Sequence, residues 1–203
     1  IFHGELYNNP SSLSDPEYVL DLYIKTGDKC VLEFNGIFHF AIYDKRIGQI
    51  KLFSDKFGLQ PLYYSTLTDG IIFAAEIKAI LKEKNVRRIP DYQSFADFLH
   101  YGQILGQKTL FQDIKLLAPG SILTFNLSKK DLSLEQYFQL EYLFVKEGKC
   151  NPGVSKEEVA SYLTKSIKAR SANPNTLGLS LSGGLDSRAI LAGLEKDAEG
   201  MHT

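Results

Sequence analysis

Up to about residue 140, apolar and polar residues alternate in short runs separated by turn residues. A period of two predicts half-buried strands. Residues 38–43 and 50–53 read as two such strands joined by a hairpin turn over 44–48. Residues 61–65 and Ile71–Ala74 make a second pair that turns around Thr68-Asp69-Gly70. Ser121–Asn126, after the turn Ala118-Pro119-Gly120, is a further alternating strand. Helical spacing appears between them. Ser14 and Asp15 cap a helix over 16–26, with Pro16 at its first position, Gly27 past its end, and Val19, Leu20, Tyr23 and Ile24 on one apolar face. A short helix over 76–84 turns Ile77, Ile80 and Leu81 to one side, and another over 91–101 places Phe95, Phe98 and Leu99 inward.

The pattern then changes. Residues 146–154 are polar and contain Gly148, Pro152 and Gly153, the composition of a linker. Ser155 caps a helix over Lys156–Arg170, Glu158 completes its capping box, and Val159, Leu163 and Ile167 form its buried stripe. Residues 176–181 read as a short buried strand and 188–195 as the helix that follows. The chain therefore reads as a strand-rich α+β domain over 1–145, a linker over 146–154, and the start of an α/β domain over 155–203.

Between that last strand and helix stands Leu181-Ser182-Gly183-Gly184-Leu185-Asp186-Ser187. A glycine turn feeding a helix presents backbone N–H groups to a phosphate, and the helix dipole adds positive potential. The glycines let the main chain approach the anion, while Ser182 and Ser187 offer hydroxyl donors. Asp186 would repel phosphate unless a divalent cation lay between them, so it reads as a magnesium ligand. The loop lacks the Lys of a Walker-type pattern. The plain alternative is a tight glycine turn with Ser and Asp caps.

Composition narrows the classes. Hydrophobic residues make up 44% and charged residues 23%, ordinary for a globular protein, and the net charge of −1 gives no basic excess for nucleic acid or an anionic membrane. No apolar stretch is long enough to span a bilayer, and Ile1 leads into Phe2-His3-Gly4 without a charged leader, so cytoplasmic residence is expected. The two cysteines, Cys30 and Cys150, lie far apart and form neither a disulfide framework nor a metal-ligand spacing. The absence of an initiator Met and the end at Thr203, soon after Ser187, lead to the expectation of a fragment with material missing on both sides.

Five segments in order carry a family resemblance: Gly4-Glu5-Leu6-Tyr7-Asn8, Ser14-Asp15-Pro16-Glu17, residues 35–44, residues 57–64 and residues 73–79. Together they resemble the class II glutamine amidotransferase domain of glutamine-hydrolysing asparagine synthetases. The Ser182-to-Ser187 loop is similar to the pyrophosphate (PP-loop) motif of that family's synthetase domain. The resemblance implies a four-layer Ntn-type sandwich followed by an α/β ATP pyrophosphatase domain. It also implies two coupled reactions. Glutamine is hydrolysed by an N-terminal Cys whose own α-amine is the base. The ammonia then displaces AMP from an aspartyl adenylate formed with ATP and magnesium. By this resemblance His3, Gly4, Glu5 and Asp15 bind glutamine, with Asp15 on its α-ammonium and Gly4 giving a backbone N–H to the oxyanion. Leu181, Ser182, Gly183, Gly184, Asp186 and Ser187 bind ATP and pyrophosphate, with Asp186 on the metal. Glutamine or ammonia and aspartate are the implied partners, with a homodimer compatible and neither nucleic acid nor membrane involved.

The departures are equally specific. Ile1 is no nucleophile, Cys30 reads as a buried structural residue, and Cys150 falls in the linker, so this chain alone is expected to be inactive. His3 stands where the family carries an oxyanion-binding Asn, and Ser54 stands where an Arg usually precedes the Asp that matches Asp55. A related carboxylate-adenylating enzyme resembling β-lactam synthetases, or a scaffold with a degenerate glutaminase half, are the competing readings.

Overall fold

Side chains that alternate along each strand face two different cores, and this alternation sets the layering. The computed structural model describes residues 1–144, 155–171 and 177–194 and divides the chain into two units, Ile1–Val145 and Lys146–Thr203. The elements of the first unit are β1 (Phe2–Leu6), α1 (Asp15–Thr26), α2 (Cys30–Glu33), β2 (Gly36–Asp44), β3 (Gln49–Ser54), β4 (Tyr63–Thr66), β5 (Ile71–Ala74), α3 (Ile77–Ile80), α4 (Tyr92–Tyr101), β6 (Lys115–Leu116), β7 (Ser121–Asn126) and β8 (Asp131–Gln136). One antiparallel sheet has the order β1-β2-β3-β7-β8 and the other the order β5-β4-β6. The two expected hairpins form, with Asp44 opposite Gln49 and Thr66 opposite Ile71.

Phe53 and Ile122 join Val19, Tyr23 and Val31 in a core between the large sheet and the helices α1 and α2. Their strand neighbours Leu52 and Leu123 point the other way and meet Tyr64 and Leu62 between the two sheets. Tyr63, Ile72 and Ala74 leave the far face of the small sheet to pack on Ile77 and Ile80 of α3. The order helix, sheet, sheet, helix is the four-layer α+β arrangement expected.

Several local expectations are corrected. In α1, Val19 and Tyr23 are buried, but Leu20 and Ile24 are exposed. The short α3 ends at Ile80, and the bonds that follow, Lys82 to Ala79 and Glu83 to Ile80, are tighter i→i−3 turns. The apolar face of α4 is turned outward, since Phe95, Phe98 and Leu99 are exposed while Ser94 and Asp97 are buried. Asp97 holds that orientation by accepting from Lys108 Nζ, Gln93 Nε2 and the Leu105 N–H.

The second unit is described as α5 (Lys156–Arg170) and α6 (Leu185–Leu194). The capping box of α5 forms, with Glu158 accepting from the Ser155 N–H and Ser155 Oγ accepting from the Glu158 N–H. Of its expected stripe only Ile167 is buried, and Val159 and Leu163 are exposed. Gly193 of α6 lets the helices approach closely, because a Cβ there would lie 2.5 Å from Ile167 Cδ1. The buried strand expected over 176–181 is not formed among the described residues. Gly178 makes a single bridge, and Ser180 and Leu181 are exposed. The expected linker 146–154, Thr176 and Glu195 lie outside the described residues.

Candidate functional site

β1 is the edge of the large sheet, and its hydrogen bonds alternate in direction. Ile1 and Ala41 exchange both bonds and the Tyr7 N–H reaches Asn35 O, so the odd residues face β2. The N–H groups of Gly4 and Leu6 therefore point to the open edge. The Leu6 N–H is used there, donating to Asp15 Oδ2 at 2.8 Å. Asn9 Nδ2 donates to the other oxygen, Oδ1, at 2.9 Å. Asp15 is thus the first residue of α1 rather than its cap, and Ser14 is the cap, with its N–H and Oγ both donating to Glu17 Oε2. Helix start and strand end are tied together by one carboxylate. Each of its oxygens keeps a free lone pair for a further donor.

Gly4 is required by backbone geometry. Its φ is +124°, and a Cβ there would overlap the Ile37 carbonyl oxygen and lie 2.7 Å from Phe38 Cα. His3 and Glu5 flank it, both exposed and, by the period of the strand, on one face. All four residues expected to hold glutamine, His3, Gly4, Glu5 and Asp15, therefore gather at the β1 edge, three consecutive and the fourth bonded to the next residue.

A residue that sequence reasoning missed lies beneath them. His39 sits directly opposite His3, their ring centroids 5.1 Å apart. It is buried, and its Nδ1 has no hydrogen-bond partner. Burial lowers its pKa, a hydrogen bond to the Gln60 backbone and the charge of Asp55 work against that, and His3 adds to it. The only sequence signal was polarity between Phe38 and Phe40, and its meaning depends on recognising β1. Asp55 organises the neighbouring loop. Its buried carboxylate accepts from the N–H groups of Phe57, Leu59 and Phe38. Ser54, where an Arg was the family expectation, is also buried, donating to Ala118 O and accepting from the Ser121 N–H. Tyr137 completes this packing by donating to Ser54 O at 2.7 Å.

Cys30 is fully buried, and burial, reinforced by Asp28, pushes its thiol up to about 12. That removes it as a nucleophile and agrees with its structural reading. Cys150 lies outside the described residues.

In the second unit α6 starts at Leu185, three residues earlier than expected, which brings Asp186 and Ser187 into its first turn. Gly183 has φ +75° with open space where a Cβ would stand. Ser182 Oγ lies 3.4 Å from Ser187 Oγ, and the Ser187 hydroxyl and Arg188 Nε both donate to Gly184 O. Leu181, Gly184 and Asp186 are exposed. Among the described residues no group of three or more His, Cys, Asp or Glu side chains could hold a metal. Asp186 is a single carboxylate beside a helix N-terminus, a donor set that fits magnesium carried largely by a ligand's phosphates rather than a protein cage.

Residues 2–138 match the model of a glutamine amidotransferase domain family. A putative glutamine-hydrolysing asparagine synthetase 2 of Methanocaldococcus jannaschii is 29% identical, covering 100% of this chain and 42% of that protein. The glutamine-hydrolysing asparagine synthetase 2 of Bacillus subtilis is 27% identical, over 99% of this chain and 29% of its own length. Asparagine synthetase 3 of the same organism is 29% identical, over 95% of this chain and 33% of its own. The chain thus spans less than half the length of these curated relatives. A solved glutamine phosphoribosylpyrophosphate amidotransferase from B. subtilis aligns over 100% of this chain and 44% of its own, at 18% identity and a TM-score of 0.44. Among the described residues no helix is long and apolar enough to cross a membrane.

Proposed function

The chain belongs to the glutamine amidotransferase domain family, and from that premise we propose that it is part of an asparagine synthetase-like, ATP-dependent ligase. The observation that carries the reading is the β1 edge, where the Gly4 N–H faces outward beside an Asp15 carboxylate fixed by the Leu6 N–H. A free glutamine fits that edge by its charges. Asp15 pairs with the α-ammonium, Glu5 lies on the same edge, and the Gly4 N–H with a ring N–H of His3 receives the carbonyl oxygen as it gains charge. Donors aimed at a developing oxyanion are worth roughly 10²–10³ in rate each. Cys30 is buried with a raised thiol pKa and is not the nucleophile in this reading.

The second unit begins the ammonia-consuming site. Leu181, Ser182, Gly183, Gly184 and Ser187 would hold the pyrophosphate of ATP, and Asp186 its magnesium ion. Bound there, the metal would supply positive charge against that of the pyrophosphate. Aspartate is the proposed acceptor, the Ntn-type fold of the first unit and the PP-loop fold of the second are part of the same reading, and a homodimer and cytoplasmic residence are compatible with it.

A second reading makes the first unit a scaffold without glutaminase activity. It is favoured by His3 at the oxyanion position and by Ser54, which fills a buried hydrogen-bonded niche in place of an Arg. The test is AMP and pyrophosphate release by the full-length protein from ATP and aspartate, with glutamine and with ammonium as nitrogen donor. Turnover with both supports the amidotransferase, and turnover with ammonium alone supports the scaffold. No AMP with either donor overturns the ligase.

A further inference from the structure

A cavity of about 560 Å³ opens beside β4, lined by none of His3, Gly4, Glu5 and Asp15. Its volume lies in the range of small-molecule sites, roughly 300–1,000 Å³. It exists because β6 is two residues long. Its pairing with β4 ends at Tyr64 and Lys115, so Ser65 and Thr66 run on along the cavity without a β6 neighbour. The cavity's charged side chains are Arg87, Asp113 and Lys115. Ser65 is 2% exposed, yet its Oγ has no hydrogen-bond partner. That hydroxyl is itself closed off from the cavity space. Lys115 makes no ion pair among the described residues.

Arg87 is held in place by Asp113, with Nε to Oδ2 at 2.6 Å and Nη2 to Oδ1 at 2.9 Å. That fork consumes the cavity's one carboxylate and leaves further guanidinium N–H groups available. The excess charge is therefore the Lys115 ammonium. Tyr64, Val86 and Leu132 supply an apolar wall.

We propose that this cavity binds a small anionic metabolite through its carboxylate or phosphate group, with Lys115 and Arg87 as the charged contacts. The site is separate from the β1 edge, and its test requires neither glutamine nor ATP. Inorganic phosphate and malonate are each titrated into the chain by calorimetry at low and moderate salt, and the preference between them tells a phosphate ligand from a carboxylate one. Saturable binding of either at one site per chain is expected, weakening with salt. Lys115→Gln should lower the affinity about tenfold, since it removes a charge-assisted hydrogen bond from an exposed side chain whose backbone pairing is untouched. Two results would overturn the proposal. These are no saturable binding up to about 10 mM of either anion, or unchanged binding in Lys115→Gln.

Discussion

Replacing Gly4 by Ala tests whether the β1 edge is shaped as described, and the expected cost comes from two separable terms. The first is conformational. At φ +124° an L side chain sits in a sparsely allowed region, a strain of about 1–3 kcal/mol. The second is steric. The new Cβ would overlap the Ile37 carbonyl oxygen and press on Phe38 Cα at 2.7 Å. Both neighbours are backbone of β2, so relief requires β1 to shift, and such overpacking adds about 1–3 kcal/mol. The sum is roughly 2–6 kcal/mol, a substantial part of the 5–15 kcal/mol that holds an ordinary domain together. Gly27→Ala is the control, since Gly27 has φ +63° but nothing within 4 Å of a Cβ. It should cost about 1–3 kcal/mol, from conformation alone. Urea unfolding followed by far-UV circular dichroism measures both. A Gly4→Ala midpoint equal to or above that of Gly27→Ala would refute the close approach of the strands.

Three further outcomes follow from the same geometry. Asp55→Ala leaves the N–H groups of Phe38, Phe57 and Leu59 without their acceptor, and should lower stability in the same urea assay by about 3–4 kcal/mol. Asp44 is held down to about 2, first by its hydrogen bonds from Arg46 and also by the Tyr23 hydroxyl, against the opposing effect of burial. A depressed carboxylate stabilises the fold above its unfolded pKa of about 3.9 and loses that contribution as the pH falls toward 2. The stability gap between the protein and Asp44→Asn should therefore be full at neutral pH and close between about pH 4 and 2; a gap constant across that range contradicts the pairing. In a Cys150→Ser background, Cys30 should be inert to a disulfide reagent at pH 8 and react only on unfolding, as its raised thiol pKa and complete burial require. Prompt labelling of the native protein would show that the α2 region opens.

What could be read from the chain was local. The capping box of Ser155 and Glu158 involves residues three apart, and it forms as read. The hairpins over β2–β3 and β4–β5 were likewise legible, because turn residues and alternation lie within one short window. What failed depended on partners distant in sequence. The α4 stripe of Phe95, Phe98 and Leu99 predicts an inward face, yet Asp97 is drawn inward by Lys108 and Leu105, which lie beyond the helix. β8 escaped notice because all six of its residues are exposed and its Leu132 and Leu134 bury no continuous face. β1 was hidden by Gly4, which weakens any strand signal and is present for the close approach of β2. The same gap concealed His39, whose opposition to His3 appears only once β1 and β2 are in register. The motif order nevertheless pointed to the right family over residues 2–138.

Whether glutamine is held at the β1 edge is read directly from amide chemical shifts of the labelled chain during a glutamine titration. Saturable shifts are predicted at Gly4, Leu6 and Asp15, reduced at least tenfold in apparent affinity by Asp15→Ala, as expected for loss of a charge-assisted contact to the α-ammonium. Shifts that are absent, that fall elsewhere, or that survive Asp15→Ala unchanged would contradict the assignment of this edge as the glutamine site.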